Sequence, residues 1–324
     1  MFKLNNKKNQ HYYSVVEQKL NSKNPESGRK KRKIYRHEIL NKKELQTFST
    51  NERGISCEKT LAELDTFTFY IEGKNRYNFE EFFEKYELKV ELLTKCVTQI
   101  YNVRSNVELD IKELTVCKFV NIIRNPYNIR FINKFFSSLD NSCPRASRHN
   151  YFYEKILSCD IGSIKHLSKI YGVTPDEYKS WLAKIFFCVS MPYKYSKNYL
   201  ESFIDRLLNS DDLLVTFDIK NYSEPCVLLS DRGYIDNSMG NYTLISFNLS
   251  SNSFFILKFI TIFDILTKFK NLQINDKDLL TEFKEYKRFH HDFDDFDALR
   301  GFNRSSVYFS QRYVYSGFRE IKYL

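Results

Sequence analysis

Residues 213–260 read LLVTFDIKNYSEPCVLLSDRGYIDNSMGNYTLISFNLSSNSFFILKFI. Four short runs rich in β-branched, aromatic and other apolar residues stand out in this stretch: 213–217, 226–230, 242–247 and 253–260. Turn residues separate them at Asp231-Arg232-Gly233 and Met239-Gly240-Asn241. Runs of this length, bounded in this way, predict strands.

Upstream the pattern is helical, over 58–68, 78–103, 108–138, 151–171, 176–190 and 199–208. The clearest case is Phe79, Phe82, Phe83 and Tyr86, which stand at i, i+3, i+4 and i+7 on one face. Asn78 suits the cap of that helix, and Glu80 and Glu81 suit its positive end. Pro126 disfavours helix at Asn125, and Pro175 marks a helix start. Downstream, 262–290 returns to helix, and 298–315 combines helix with Tyr308, Phe309, Tyr313 and Tyr315. At the other end, the basic run Gly28-Arg29-Lys30-Lys31-Arg32-Lys33 follows a turn and leads into a weakly alternating strand over 34–40, which predicts a hairpin with a basic loop.

With only 9 Gly and 6 Pro in 324 residues, turn punctuation is sparse. The expectation is an α+β fold with a predominantly helical block and a smaller, mainly antiparallel sheet. It divides into a basic segment with a hairpin (1–50), a helical block (51–210) and a sheet block with closing helices (211–324), the last packed as one unit with the helical block.

The formal charge is +10 and the hydrophobic fraction 42%, a globular balance that points to a polyanionic partner, nucleic acid in the first place. Asn, Lys, Ile, Phe and Tyr are also the residues that AT-rich coding over-supplies, so part of the charge needs no partner. Seven cysteines, at 57, 96, 117, 143, 159, 188 and 226, form no CxxC pair. That disfavours a zinc site and suggests reduced thiols in a cytoplasmic setting. The start of the chain is polar, unlike an export signal. The most apolar window, SFFILKFITIFDIL at 253–266, is too short for a bilayer and carries Lys258 and Asp264. No membrane partner is expected.

Scattered segments, in order along nearly the whole chain, resemble a bacterial family catalogued as domain of unknown function 4238. Asn9-Gln10-His11-Tyr12-Tyr13 is similar to its opening His-Tyr-Val-Pro segment, without the proline. Phe79-Glu80 and Glu87 match a helix with spaced glutamates, and Arg124-Asn125-Pro126 matches Arg-Thr-Pro with Asn for Thr. Leu229-Ser230-Asp231 matches a strand ending in Ser-Asp, followed here by Arg232-Gly233 in place of Asn-Pro. Asn303 before Arg312-Tyr313-Val314-Tyr315-Ser316 matches the close. The resemblance implies an accessory role in bacterial mobile and defence regions, which hints at nucleic-acid processing.

These segments supply the candidate catalytic residues His11, Arg124, Ser230 and Asp231. An imidazole serves as general acid or base near neutrality. A guanidinium fork matches phosphate, although a salt bridge from Arg124 to Glu80 or Glu87 competes. Ser230 and Asp231 close an apolar strand, where a plain turn competes with a site. Glu80 and Glu87, seven apart, share a helix face and form the candidate metal pair, with Mg²⁺ as the cofactor; solvated or ion-paired glutamates are the plainer reading. Arg29, Lys30, Lys31, Arg32, Lys33 and Arg312 are the candidate nucleic-acid contacts.

Three further features stay in the background. The His290–Asp297 cluster reads better as an acidic connector, Arg145, Arg148 and His149 as a weak basic patch, and the tyrosines of the tail with Arg304 and Arg312 as a docking terminal helix rather than a strand-gripping surface. No Gly-x-Ser-x-Gly elbow or EF-hand loop is present. The leading expectation is a nucleic-acid-directed effector, a nuclease in anti-phage defence. Its rivals are a non-catalytic nucleic-acid-binding or regulatory protein and an enzyme acting on a small phosphorylated metabolite or nucleotide.

Overall fold

The computed structural model describes residues 4–71, 75–99, 107–140, 142–159, 162–194, 197–240, 242–264 and 289–324. By contacts the chain divides into two units, each drawn from three segments. Met1–Val16, Glu58–Leu93 and Ile111–Ile204 make the first; Glu17–Cys57, Thr94–Asp110 and Asp205–Leu324 make the second.

The first unit is organised around the helix Pro175–Ser190. A capping box starts it: Thr174 Oγ1 accepts from the Glu177 N–H at 3.1 Å, and Glu177 Oε2 accepts from the Thr174 N–H at 2.7 Å. Behind the cap, every residue from Trp181 to Val189 is buried, more than two full turns, with Lys184 among them paired to Asp140. A helix buried on every side over that length has to be enclosed, and Ile129–Phe135, Ser147–Leu157 and Gly162–Ile170 pack against it. Each large apolar side chain so buried contributes roughly 1.5–3 kcal/mol. The polar tips are satisfied as well: Trp181 Nε1 donates to the Ile123 carbonyl at 2.7 Å and Tyr178 OH to the Thr66 carbonyl at 2.8 Å.

Two short ribbons lie in the same unit. Asn9–His11 pairs antiparallel with Ala62–Leu64, which sets His11 opposite Ala62. Thr68–Ile71 pairs with Asn75–Asn78 and leads into the helix Glu80–Thr98. Asn78 Oδ1 accepts from the Glu80 N–H at 3.1 Å at the start of that helix. The helix Val107–Arg124 stops where Asn125 turns extended (φ −82°, ψ 118°), its Oδ1 accepting from the Tyr127 N–H at 3.0 Å. The backbone before Pro126 thus takes the conformation that proline favours, and Arg124 is left at the helix terminus.

The second unit holds a mixed five-stranded sheet in the order Ile235–Asp236, Tyr242–Ser250, Ser253–Thr261, Leu213–Asn221, Phe289–Phe293. All neighbours are antiparallel except the last pair, which is parallel. A second, antiparallel sheet runs Leu229–Ser230, Tyr313–Ser316, Lys33–Asn41, Gln46–Ser49, and Ile55–Ser56 also pairs with Lys33–Asn41. The helix Phe296–Phe309 serves two cores. Leu299 and Phe302 join Tyr222, Cys226, Ile235 and Phe254, while Val307 joins Leu228 and Val314. Asn303 on this helix accepts from the Leu228 N–H at 3.0 Å and donates to the carbonyls of Cys226 (2.9 Å) and Tyr323 (3.1 Å).

A helix-dominated fold with a small sheet is therefore incorrect. Helix accounts for 45% and strand for 27% of the described residues, in several sheets of which one is mixed, so the fold is a mixed α+β. Strands of two to four residues such as Ile55–Ser56, Ala62–Leu64 and Thr68–Ile71 are too short to display a period of two. The helix expected over 58–68 is replaced by the 3-10 turn Cys57–Lys59 and the strand Ala62–Leu64. Leu61 and Asp65 both take left-handed backbone (φ 52° and 57°), at a cost of about 1–2 kcal/mol each. Local bonds offset it: the Leu61 carbonyl accepts from the Tyr12 N–H at 3.0 Å, and the Asp65 N–H donates to the Lys8 carbonyl at 2.9 Å.

Two other expectations shift. The basic run does not form the hairpin loop; Arg29–Lys31 is a 3-10 turn ahead of the strand Lys33–Asn41, and the hairpin turns between Asn41 and Gln46. Of the helix expected over 262–290, residues 265–288 lie outside the described residues, and Phe289–Phe293 is a strand. Residues 100–103 of the expected 78–103 helix also lie outside them.

Candidate functional site

In the first unit the segment before His11 is pinned from below. Gln10 is fully buried; its Nε2 donates to the Lys7 carbonyl at 3.1 Å and to Thr68 Oγ1 at 2.9 Å, and its Oε1 accepts from the Phe67 N–H at 2.5 Å. Arg76 donates to the carbonyls of Asn5 and Lys7 and pairs with Asp65. These bonds fix the position of Lys7 and His11 on the chain.

His11 is 6% exposed. Its Nδ1 lies 3.2 Å from the Thr60 carbonyl oxygen. A carbonyl only accepts, so Nδ1 carries the proton and Nε2 is the acceptor nitrogen. Burial, then the charges of Lys7 and Arg124, lower its pKa to about 4, against the opposing pull of Glu87 and the Thr60 bond. The ring is neutral at physiological pH, and the burial and neighbouring cations that keep it neutral also make it a weak base.

Lys7 forms an ion pair with Glu80. Arg124, 1% exposed, donates through Nη1 to Glu87 Oε1 at 2.5 Å. Its Nε and Nη2 both reach Asn121 Oδ1, at 3.1 and 2.8 Å, and its guanidinium lies 5.2 Å from the centre of the Phe83 ring. The two glutamates therefore diverge. Burial raises the Glu80 pKa, although Lys7 and Arg124 oppose the shift. Burial works to raise Glu87 too, but the charge and hydrogen bond of Arg124, with Lys7 and His11, overcome it and hold Glu87 below the usual range. Two carboxylates on one helix face thus have proton affinities pushed in opposite directions by their surroundings. Each already has a cation, and among the described residues no group of three or more His, Cys, Asp or Glu is arranged to hold a metal ion.

Ser230 and Asp231 lie in the second unit, where they brace a corner. Asp231 Oδ1 accepts from the Gln311 N–H at 2.8 Å, and Oδ2 accepts from the Arg312 and Tyr313 N–H groups at 2.7 and 2.9 Å. Burial raises its pKa, opposed by those three amides and by Lys42. Ser230 Oγ accepts from Ser310 Oγ at 2.8 Å and from the Arg232 N–H at 3.2 Å. The carboxylate holds the start of the strand Tyr313–Ser316.

Of the basic residues, Arg29, Lys30, Lys31 and Arg312 are exposed, while Arg32 and Lys33 are half-buried, Arg32 donating to the Ser27 carbonyl at 2.9 Å. Lys220 pairs with both Asp292 and Asp295 at 2.7 Å, and Asp295 caps the helix that follows, so this acidic stretch is tied into the fold. Lys7 and Asn121 were not singled out by sequence reasoning. Asn121 stands three residues before Arg124 on the same helix face, a spacing that could have indicated it; nothing local marks Lys7.

All seven cysteines are free thiols. Among the described residues no helix is long and apolar enough to cross a membrane. Comparison with protein-family models, curated proteins and solved structures finds no match to this chain.

Proposed function

We propose that this protein is a nucleic-acid-directed effector that cleaves phosphodiester bonds by acid–base chemistry, acting in bacterial anti-phage defence. The observation that carries the reading is the cluster of a neutral imidazole, two glutamates of divergent proton affinity and two cations, Lys7 and Arg124, in one small region. Acid–base groups without a dedicated nucleophile need a substrate that brings its own. RNA does so with its 2′-hydroxyl, so RNA is the substrate class. His11 Nε2 takes the proton of the 2′-hydroxyl as the 2′-oxygen attacks phosphorus and the bond to the 5′-oxygen breaks; the anionic phosphate and Glu87 offset the imidazolium charge that burial disfavours. The Lys7 ammonium, held in place by Glu80, gives that leaving oxygen a proton, and Arg124 stabilises charge on the phosphoryl oxygens. Glu87 holds Arg124 in place. Because both carboxylates already carry cations, a Mg²⁺ bound there has to displace one of them, which favours the metal-independent form. The resemblance to the domain of unknown function 4238 family supports the setting in defence.

The test is cleavage of labelled single-stranded RNA by the purified chain, with EDTA or Mg²⁺. The expected products carry 2′,3′-cyclic phosphate ends, formed equally well in EDTA. His11→Gln and Lys7→Gln each slow the reaction by about 10²–10⁴-fold. A wild-type protein that turns over no RNA refutes the catalytic reading. A non-catalytic binder is the second reading, favoured by the exposed basic turn Arg29–Lys31; salt-sensitive binding without turnover would support it.

A further inference from the structure

In the second unit an open groove of about 390 Å³ lies between the hairpin turn after Lys33–Asn41 and the helix Phe296–Phe309, lined by Lys42, Lys43, Leu45, Arg304, Ser305 and Tyr308. We propose that this groove binds single-stranded nucleic acid, with a base stacked on Tyr308 and flanking phosphates held by Lys42, Lys43 and Arg304. The proposal rests on the polyanion-directed half of the proposed function and is independent of its catalytic half.

The lining carries three cations and no carboxylate; Glu44, in the same turn, is not part of it. Arg304 and Tyr308 stand four residues apart, so they project from one helix face about one turn apart. Tyr308 is 54% exposed, more than Phe296 at 39%, while Phe302 on the same helix is buried. Its edge-on contact with Phe309, 5.2 Å between centres at 84°, gives one side of the ring a fixed neighbour. By contrast, Tyr315 is buried in the neighbouring sheet and Tyr313 is half-buried beside Arg36, 4.6 Å from its guanidinium.

The opposite wall is held equally well. Asn41 Oδ1 accepts from the N–H groups of Lys43 and Glu44 at 3.0 and 3.3 Å. Leu45, in left-handed backbone at φ 56°, packs against the core of Leu228, Val307 and Val314. That contact ties the turn to the helix and sets the width of the groove before a ligand arrives. Stacking on an aromatic ring tolerates any base, while cations beside it follow the backbone. The groove therefore recognises unpaired strands over duplex and carries little sequence preference.

The test is fluorescence anisotropy of the full chain with labelled oligouridylate, oligothymidylate and a duplex control, across about 50–200 mM salt. Tyr308→Leu should weaken single-strand binding about tenfold or more, leaving duplex binding and the melting temperature unchanged. Tyr308→Phe, which keeps the ring, should restore it. Lys42→Gln with Arg304→Gln should reduce the slope of log affinity against log salt by roughly 1.4, two phosphate contacts at about 0.7 each. Wild-type affinity in Tyr308→Leu overturns the groove even if the His11 centre cleaves RNA. A wild-type chain that binds no oligonucleotide overturns it too. Tyr308-dependent binding in a protein that cleaves nothing upholds the groove and removes the catalytic reading alone.

Discussion

Acidification should unfold this protein earlier than its carboxylates alone require, because each unit buries a neutral histidine. His11 in the first unit and His37 in the second both have pKa values lowered to about 4, chiefly by burial. His37 is held by Ser316, with 2.8 Å from its Nε2 to Ser316 Oγ. An unfolded histidine titrates near 6.5, so between pH 6.5 and 4 the unfolded chain binds a proton that the folded chain refuses. Stability from each ring is complete above pH 6.5, falls with pH through that window, and is fully lost below about 4. With 6% and 2% exposure, solvent does little to soften the effect, and the shift corresponds to about 3 kcal/mol per ring at the acid limit. Most of it, ~2–3 kcal/mol, is gone by about pH 4.5. Two rings together then take a large share of the 5–15 kcal/mol that holds a typical domain.

The assay is urea unfolding at a series of pH values, followed by Trp181 fluorescence for the first unit and by far-UV circular dichroism for the whole. His11→Gln should lower stability near pH 7.5 by about 1–2 kcal/mol through the altered bond to Thr60, yet flatten the pH dependence seen by Trp181. The two stability curves should converge or cross near pH 5. An unchanged slope in the variant would refute the argument, for it would mean that the His11 ring is already charged or solvated in the folded state.

Three further outcomes are expected. Glu87→Gln should cost about 2–3 kcal/mol by leaving the Arg124 guanidinium without its anion, less than for a fully buried pair because the Glu87 side chain is 30% exposed; thermal unfolding with Asn121→Ala as a partner in a double-mutant cycle measures the coupling. Asp231→Asn should cost about 2–3 kcal/mol, since an amide cannot accept from all three N–H groups at Gln311, Arg312 and Tyr313; hydrogen exchange at those amides should rise, and unchanged protection would count against the corner. Thiol titration of the denatured chain should find seven free cysteines, while in the native protein exposed Cys143 reacts first and buried Cys226, its thiol pushed up to about 12 by burial and the charges of Asp294 and Glu224, reacts late.

What the sequence made legible was local. The strands Leu213–Asn221, Tyr242–Ser250 and Ser253–Thr261 announce themselves through runs of β-branched and aromatic residues, whereas of the run 226–230 only Leu229–Ser230 is strand, and the break at Asn125 follows from the ring of Pro126 alone. The shared face of Glu80 and Glu87 follows from helical pitch. What stayed hidden was non-local or depended on backbone strain. Leu61 carries no mark of positive φ, and Asp65, though aspartate enters that region more readily than most residues, stands in no Gly-containing turn, so the pattern over 58–68 suggests helix where a strand forms. Lys7 meets Glu80 across 73 positions and Arg124 meets Glu87 across 37, distances over which periodicity carries no information. Asp231 was read as a site residue on its position at a strand end, and only the three amides around it reveal how its charge is accommodated.

The second sheet of the second unit also constrains how the chain is made. Tyr313–Ser316 sits between Lys33–Asn41 and Leu229–Ser230, so the strand that completes the sheet is synthesised roughly 270 residues after the hairpin it joins. At ribosomal rates that interval is on the order of half a minute. Throughout it Lys33–Asn41 presents an open edge to every other nascent strand in the cell. Loop closure over such a span makes pairing slow, and the positive charges that flank this edge, Arg29 to Lys33 on one side and Lys42 and Lys43 on the other, then act as gatekeepers against edge-to-edge association. By that argument the basic residues on either side of Lys33–Asn41 have a use before the fold is complete, on the ribosome.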